Sequence, residues 1–355
     1  MDNANTWQEF MGVKAMVEKG LDRVPYRFIR SLQERPKVSQ YEEKENIPVI
    51  DLQDQVDNSS FALSANLVQA IGRACHEWGC FQVVNHGIAP STMNEMMEAA
   101  REFFELPDEQ KMKYFTLDTM SKFRYASSFN LQKDKILSWR DFIRYSCHPL
   151  DDVVSLWPST PSSFRKANVN FCTQIHGLVR KLCGAISQSL GLPEKYIEQA
   201  FTDYSQTMVC NYYPKCPEPE STLGVGSHTD PGWITALMQD DVTGLQVLHE
   251  DRWVIVKPIA HALVINLGDV LQILSNGKYK SAEHRATVNG SSDRISVVTT
   301  YGPSLDTIIR PAPEILLNGC KPVYREIVYK EYMEMILSGS LEDKRLLDFH
   351  RLEIQ

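Results

Sequence analysis

The chain contains no apolar run approaching the roughly eighteen residues that cross a bilayer, which argues against a helical membrane protein. It has no excess of positive charge. Against 37 Lys and Arg stand 45 Asp and Glu, a formal net charge of −8, which speaks against nucleic acid or an anionic membrane as the main partner. The eight cysteines form no Cys-x-x-Cys pair, and the closest are Cys75/Cys80 and Cys210/Cys216. Reduced, mostly buried thiols are expected in place of disulfides or a zinc site. The opening residues, Met1 to Trp7, have neither a basic nor an apolar leader segment, so no secretory signal is expected and the chain reads as soluble and cytoplasmic. Internal repeats and low-complexity tracts are missing as well. What is present is ordinary: 355 residues, 43% hydrophobic and 23% charged, enough apolar surface for a sizeable core in one large domain or two modest ones.

Four regions follow from the patterning. Residues 1–46 are mixed and end in the polar run Ser39 to Asn46, read as a helix plus a surface arm. Residues 47–200 form a mixed α/β region packed on the core. Ile47 to Leu52 is a short β-like segment, and Leu67, Ala70, Ile71, Ala74, Cys75 and Trp78 mark an amphipathic helix entered through Ser64 and ended by Gly79. Cys80 to Asn85 reads as a buried strand. A second helix follows Pro90-Ser91, with Met93, Met97, Ala100 and Phe104 on one face. After an aromatic-rich stretch from Tyr114 to Pro149, taken as strands or loops near a cavity, a long helix opens near Ser162 or Ser163. Cys172, Ile175, Val179, Leu182, Cys183, Ile186 and Leu190 line its inner face, and Gly191 and Pro193 stop it. Residues 201–305 change period: short β-like runs separated by hairpin-type turns at Pro214 to Pro219, Glu250-Asp251, Asn276-Gly277 and Asn289-Gly290, as in a sandwich, barrel or jelly roll. Residues 306–355 return to helix, with Val328, Tyr332, Met335 and Ile336 in phase. The fold class is α+β with a mostly β core.

The chemistry concentrates in two stretches, His228-Thr229-Asp230 and His284 followed by Arg294-Ile295-Ser296. On a strand, His228 and Asp230 project to one face while Thr229 points away. His284 must arrive from another strand, and the turn at Asn276-Gly277 is placed to deliver it. Two imidazoles and one carboxylate hold one face of an octahedral ferrous ion and leave three positions open. Arg294 and Ser296 repeat the same spacing and put a guanidinium fork, suited to a carboxylate, beside a hydroxyl. A His-x-Asp pair alone is a common accident, and the same ligand set serves zinc hydrolases. Those usually carry His-Glu-x-x-His on a helix, which this chain lacks. His86, in Val84-Asn85-His86-Gly87, reads as a structural histidine.

In these stretches the chain resembles the plant-type 2-oxoglutarate/Fe(II)-dependent dioxygenases over about residues 44 to 335. The matching segments are Ile47-Pro48-Val49-Ile50-Asp51-Leu52, Trp78 to Gly87, Asn211-Tyr212-Tyr213-Pro214, Gly224 to Asp230, Asn266-Leu267-Gly268-Asp269, Ser275 to Ser281, His284-Arg285 and Arg294-Ile295-Ser296. The resemblance implies a double-stranded β-helix (jelly roll) with flanking helices and a mixed N-terminal region. It implies iron held by His228, Asp230 and His284, and 2-oxoglutarate held by Arg294 and Ser296 with help from Tyr213 and Asn211. Dioxygen and a small aromatic molecule would be the other substrates, ascorbate the reductant, and a monomer the working form. Phe129, Phe142, Arg144, Val209, Trp233 and Thr300 are the candidates for the substrate pocket. Arg144 would share a strand face with Phe142 and meet a substrate carboxylate or phenolate, or else pair with Asp141 or another acid at the surface. The segments Phe123 to Phe129, Trp139-Arg140-Asp141 and His228-Thr229-Asp230-Pro231 look most like the specialised-metabolism branch. That favours hydroxylation or desaturation of a flavonoid or related phenylpropanoid, with a salicylate or gibberellin hydroxylase, or a catalytically silent receptor, as alternatives.

Overall fold

The computed structural model describes residues 11–36, 46–53, 63–317, 319–338 and 346–352. The end of the polar arm, residues 37–45, lies outside them. Two sheets form the centre. In chain order their strands are β1 (Val49–Asp51), β2 (Cys80–Val84), β3 (Phe123–Ala126), β4 (Asp141–Ser146), β5 (Tyr204–Tyr213), β6 (Val225–His228), β7 (Ile234–Gln239), β8 (Leu245–His249), β9 (Arg252–Ile255), β10 (Leu263–Leu267), β11 (His284–Ala286) and β12 (Arg294–Pro303). The larger sheet runs β1-β2-β10-β7-β12-β5-β4-β3 and the smaller β6-β11-β8-β9. All neighbours are antiparallel except β1 and β2. The two sheets face each other across a shared apolar layer that includes Leu237, Leu245, Val247 and Val264. They do not close into a barrel, so the site lies between two sheets.

A strict period of two assigns the faces of the larger sheet. On β12, Ile295 and Val297 turn outward into the main core, while Arg294, Ser296, Val298 and Thr300 turn inward. On β5, Met208, Cys210 and Tyr212 go outward; Thr207, Val209, Asn211 and Tyr213 go inward. The outward face is covered by three helices, Ala65–Glu77, Pro90–Glu105 and Phe164–Ser189, in one continuous hydrophobic cluster. Burying one face of the sheet in this way fixes register, since a slip by one residue would carry every core side chain to the wrong side.

Ser64 caps the first of these helices, its Oγ accepting from Leu67 N at 3.3 Å. The second helix buries Met96, Ala99 and Phe103 beside Met93, Ala100 and Phe104, so its inner face is centred between the rows expected; Met97 is only half-buried. The Glu250-Asp251 turn is a two-residue hairpin between β8 and β9, with φ of 47° and 61° at its two residues, the mirror-image turn that matches strand twist. Asn276-Gly277 is different. It closes a short helix, Asp269–Leu274, and is no hairpin: an Asn and a Gly at positive φ terminate helices as readily as they reverse strands. Val328 lies in a short strand paired with Ile308, and the tail helix starts one residue later, Tyr329–Ser338. The N-terminal region supplies the expected helix, Val13–Glu18. All eight cysteines are free thiols, seven of them buried, and among the described residues no helix is long and apolar enough to cross a membrane.

Candidate metal centre and its cavity

His228 ends β6 and His284 opens β11, and the two are directly opposite in the antiparallel register. Their ring centroids are 4.3 Å apart. Asp230 follows two residues later, just past the strand end. Its backbone carbonyl accepts from Asp269 N at 2.8 Å, and the chain packs so closely there that a side chain at Gly268 would lie 2.2 Å from the Gly232 carbonyl. The donor atoms of His228, Asp230 and His284 lie within 4.8 Å of one another, and each Nε2 is 3.8 Å from Asp230 Oδ1.

The hydrogen bonding sets the imidazole tautomers. Nδ1 of His228 donates to the Gly226 carbonyl and Nδ1 of His284 to the Ala282 carbonyl, both at 2.9 Å. Each Nε2 lone pair is thereby directed to the centre of the cluster, as metal-binding histidines require. Burial, reinforced by the neighbouring His284, holds His228 far below the ordinary imidazole range, and so neutral. Asp230 Oδ2 is buried with no hydrogen-bond partner. An orphaned carboxylate oxygen is expensive unless something electropositive meets it. Two imidazole nitrogens and one carboxylate oxygen without a partner, all on one side of an open space, fit a divalent metal with exchangeable positions remaining.

Beside this cluster, Arg294 on β12 faces Tyr213 on β5, and Ser296 faces Asn211. Arg294 is 3% exposed. It donates through Nη2 to Gln239 Oε1 at 2.8 Å and through Nε to the Val242 carbonyl at 3.1 Å, and lies 5.1 Å from the Tyr213 ring centroid. Asn211 Nδ2 donates to Ser296 Oγ at 3.2 Å. A buried guanidinium whose hydrogen bonds go to neutral oxygens, with Asp240 acting on it without a direct ion pair, is suited to a further carboxylate.

A cavity of about 480 Å³ joins the metal cluster to Arg294, Tyr213 and Asn211, with Ser296 not among its lining residues. Its wall includes the two histidines, Asp230 and Arg294, and five of the six pocket candidates: Phe129, Phe142, Arg144, Val209 and Thr300. Trp233 is the exception. Its ring stacks on Phe201 at 4.5 Å and is 5% exposed, so it fills the core behind the site. The pairing of Arg144 with Asp141 does not occur either. Residues an odd number apart on β4 face opposite ways, and Asp141 instead accepts from Val13 N at 2.7 Å, Lys14 N at 3.1 Å and the Tyr125 hydroxyl at 3.3 Å. His86 is structural as expected, with Nε2 donating to the His261 carbonyl at 2.9 Å and Nδ1 accepting from Ile88 N at 3.2 Å. Sequence reasoning missed Arg124 and Arg140 and the tail residues Tyr329, Met333, Ile336 and Leu337, all of which line the cavity. Arg140 had a usable signal, since it continues the alternate-residue row of Phe142 and Arg144. The tail residues had none, because nothing local says where a terminal helix docks.

Comparison with known proteins agrees with this geometry. Residues 204–303 match the 2OG-Fe(II) oxygenase superfamily, and residues 47–160 match the non-haem dioxygenase in morphine synthesis N-terminal family. Protein DMR6-LIKE OXYGENASE 2 of Arabidopsis thaliana is 39% identical over 331 residues, covering 92% of this chain and 94% of that protein. Flavanone 3-dioxygenase 2 of Oryza sativa subsp. japonica is 41% identical over 331 residues, covering 93% and 95%. Among solved structures, JOX2 in complex with 2OG, Fe and JA has a TM-score of 0.86 at 34% identity, covering 97% of this chain and 98% of that one. The fold is therefore the double-stranded β-helix of these enzymes, 2-oxoglutarate and Fe(II) are its co-substrate and metal, and the chain belongs to the plant-type 2-oxoglutarate/Fe(II)-dependent oxygenases.

Proposed function

We propose that the protein hydroxylates or desaturates a small aromatic plant metabolite, a flavonoid or related phenylpropanoid, at the cavity between its two sheets. His228, Asp230 and His284 hold the iron in this reading, and Arg294 with Ser296 holds the far carboxylate of 2-oxoglutarate. The observation that carries it is the convergence of that ligand set, with Asp230 and His284 buried and His228 half-buried, and the buried Arg294 guanidinium on one cavity. Bound together, the metal and the keto acid supply dioxygen activation and C–H oxidation, releasing succinate and carbon dioxide.

The chain's own residues orient and exclude. Gly226 and Ala282 carbonyls fix both imidazole tautomers. The Tyr213 ring and the Gln239 amide hold the Arg294 fork in place, and the Arg140–Asn211–Ser296 chain of hydrogen bonds stiffens the floor beside it. Phe129, Phe142, Val209 and Thr300 position the organic substrate against the metal side of the cavity. Since small displacements of a reacting carbon change rates by large factors, these contacts choose between hydroxylation and removal of a second hydrogen. A monomer is the proposed working unit, and the free buried thiols suit the cytoplasm. The test is aerobic incubation of the purified protein with Fe(II), ascorbate and 2-oxoglutarate against flavanones, salicylate, cinnamoyl thioesters and gibberellins, with succinate and oxidised product measured. Substrate-dependent succinate is expected with the aromatic compounds, and Asp230→Ala should abolish it. Absence of succinate with every compound would favour a silent receptor.

A further inference from the structure

The wall opposite the smaller sheet carries more positive charge than iron and 2-oxoglutarate account for. Arg124 on β3 and Arg144 on β4 are direct cross-strand partners, so both side chains leave the sheet on the same, cavity-facing side. Like charges directly opposite on neighbouring strands destabilise a sheet, and both of these are withdrawn from water: Arg124 is 1% exposed and Arg144 is half-buried. Their hydrogen bonds go to neutral oxygens. Arg124 donates to the carbonyls of Thr116 and Phe129 at 3.0 and 2.8 Å. Arg144 reaches the carbonyls of Thr119 and Ser121 only at 3.5 and 3.4 Å. Among the described residues neither has a carboxylate within ion-pair distance; Asp134 acts on Arg124, and Asp118, exposed at the rim, acts on both, only at longer range. Arg124 Nη2 has no hydrogen-bond partner at all.

Arg140 stands on the same wall but at the metal end, bonded through Nη1 to Asn211 Oδ1 at 2.6 Å, where the charge of the co-substrate can offset it. The Phe142 ring separates the two groups, 4.7 Å from the Arg140 guanidinium and 5.5 Å from that of Arg124. Beyond that ring, no direct ion pair among the described residues neutralises Arg124 or Arg144, and of the two only Arg124 has Asp134 near it. The surroundings there are apolar: Phe129, Val209, Val298, Met333 and Ile336. A cluster of this sign is the more conspicuous in a chain whose net charge is −8.

We propose that the organic substrate is a carboxylate on a small apolar or aromatic body, docked with its carboxylate on the Arg144 guanidinium and its body against Phe142 and Val209. Arg124, behind it, adds charge without direct contact, its free nitrogen having no accessible surface. The cavity of about 480 Å³ must hold 2-oxoglutarate as well, which selects a compact acid over a bulky conjugate. This inference rests on the oxygenase reading for the direction in which the substrate points, and narrows its substrate class.

Anaerobic protein loaded with Fe(II) and saturating 2-oxoglutarate separates binding from turnover. Hydroxylated benzoates and cinnamates are titrated calorimetrically, each beside its methyl ester. The free acids are expected to bind at least roughly tenfold tighter than their esters, the low end for a charge-assisted hydrogen bond. In Arg144→Gln the difference should collapse through loss of acid binding alone, and Arg144→Lys should restore part of it. Equal affinity of acids and esters for the wild-type protein would overturn the proposal without recourse to any variant. So would an equal weakening of both by Arg144→Gln, or acids that displace 2-oxoglutarate instead of binding beside it. Selective acid binding with no succinate in air would leave the anion site standing and remove the oxygenase reading; succinate without acid preference would do the reverse.

Discussion

At the scale of single residues, the most legible parts of the site were those whose geometry is local. His228 and Asp230, and likewise Arg294 and Ser296, are two apart, and two apart is what an extended chain needs to aim side chains together. The departure is small: β6 ends at His228, so Asp230 is aimed by the close packing of Gly268 as well as by strand pleat. Trp233 misled because a large aromatic three residues past a ligand looks like a pocket wall, whereas its ring faces Phe201. Arg294 gives the sharpest test at this scale. In the proposed reading Arg294→Ala removes a charge-assisted contact to the co-substrate, so the KM for 2-oxoglutarate should rise roughly ten- to a hundredfold. The KM for the organic substrate should move little, and Arg294→Lys should recover only part because it keeps the charge and loses the planar fork. A rise in both KM values by the same factor would point to a collapsed cavity and not to a lost carboxylate contact.

Elements explain what the residue scale leaves open. The stretch around β3 and β4 was readable as strands near a cavity, yet its two-faced character decides what each residue does. Arg140, Phe142 and Arg144 face inward, while Asp141, Ile143 and Tyr145 face outward. Asp141 there caps an element 128 residues away, accepting from the first backbone N–H groups of the helix Val13–Glu18. The approach is tight enough that a side chain at Gly12 would lie 2.4 Å from the Tyr125 hydroxyl and 2.6 Å from Asp141 Oδ2. Burial pushes the Asp141 carboxyl from its ordinary 3.8 up to about 6, against the lowering effect of those two N–H groups. Folded Asp141 therefore keeps its proton through a window in which the unfolded carboxyl has lost it. Its contribution to stability is full below about pH 3.8 and fades as pH rises through about 6. An asparagine cannot titrate. The stability lost in Asp141→Asn should thus be larger at pH 4 than at pH 7, by about 3 kcal/mol at most, in urea unfolding followed at both values. A penalty that is the same at both would show that Asp141 is ionised throughout.

On the scale of the whole molecule, strand order is what the sequence did not disclose. β12 lies between β5 and β7, and β10 between β2 and β7. Such neighbours are tens to nearly two hundred residues apart along the chain, and no local pattern encodes them. The same is true of the tail helix Tyr329–Ser338, whose periodicity announced a helix but not its place. It packs over the cavity with Tyr329, Met333, Ile336 and Leu337, and is pinned to the metal side by the Tyr332 hydroxyl donating to Asp269 Oδ2 at 2.6 Å. Asp269 in turn anchors the Asp230 backbone through its own N–H, so the covering helix and the ligand loop are mechanically continuous. Met333 and Leu337 are only partly buried, line the cavity and take no part in the hydrogen bond from Tyr332 to Asp269, which lets closure be weakened without removing that anchor. Shortening both, in Met333→Ala with Leu337→Ala, removes apolar contacts to the substrate and admits water. The KM for the organic substrate should rise roughly tenfold, the low end for a few lost methylenes in an apolar pocket. The KM for 2-oxoglutarate should stay within about twofold, since Arg294 is held by Gln239, Val242 and Tyr213 and by nothing on the tail helix. Succinate formed per molecule of product should increase, because a loosely held carbon is missed more often while the keto acid is still consumed. If that ratio and the organic KM are both unchanged, the tail helix is a structural lid only, and substrate is held entirely by the two sheets.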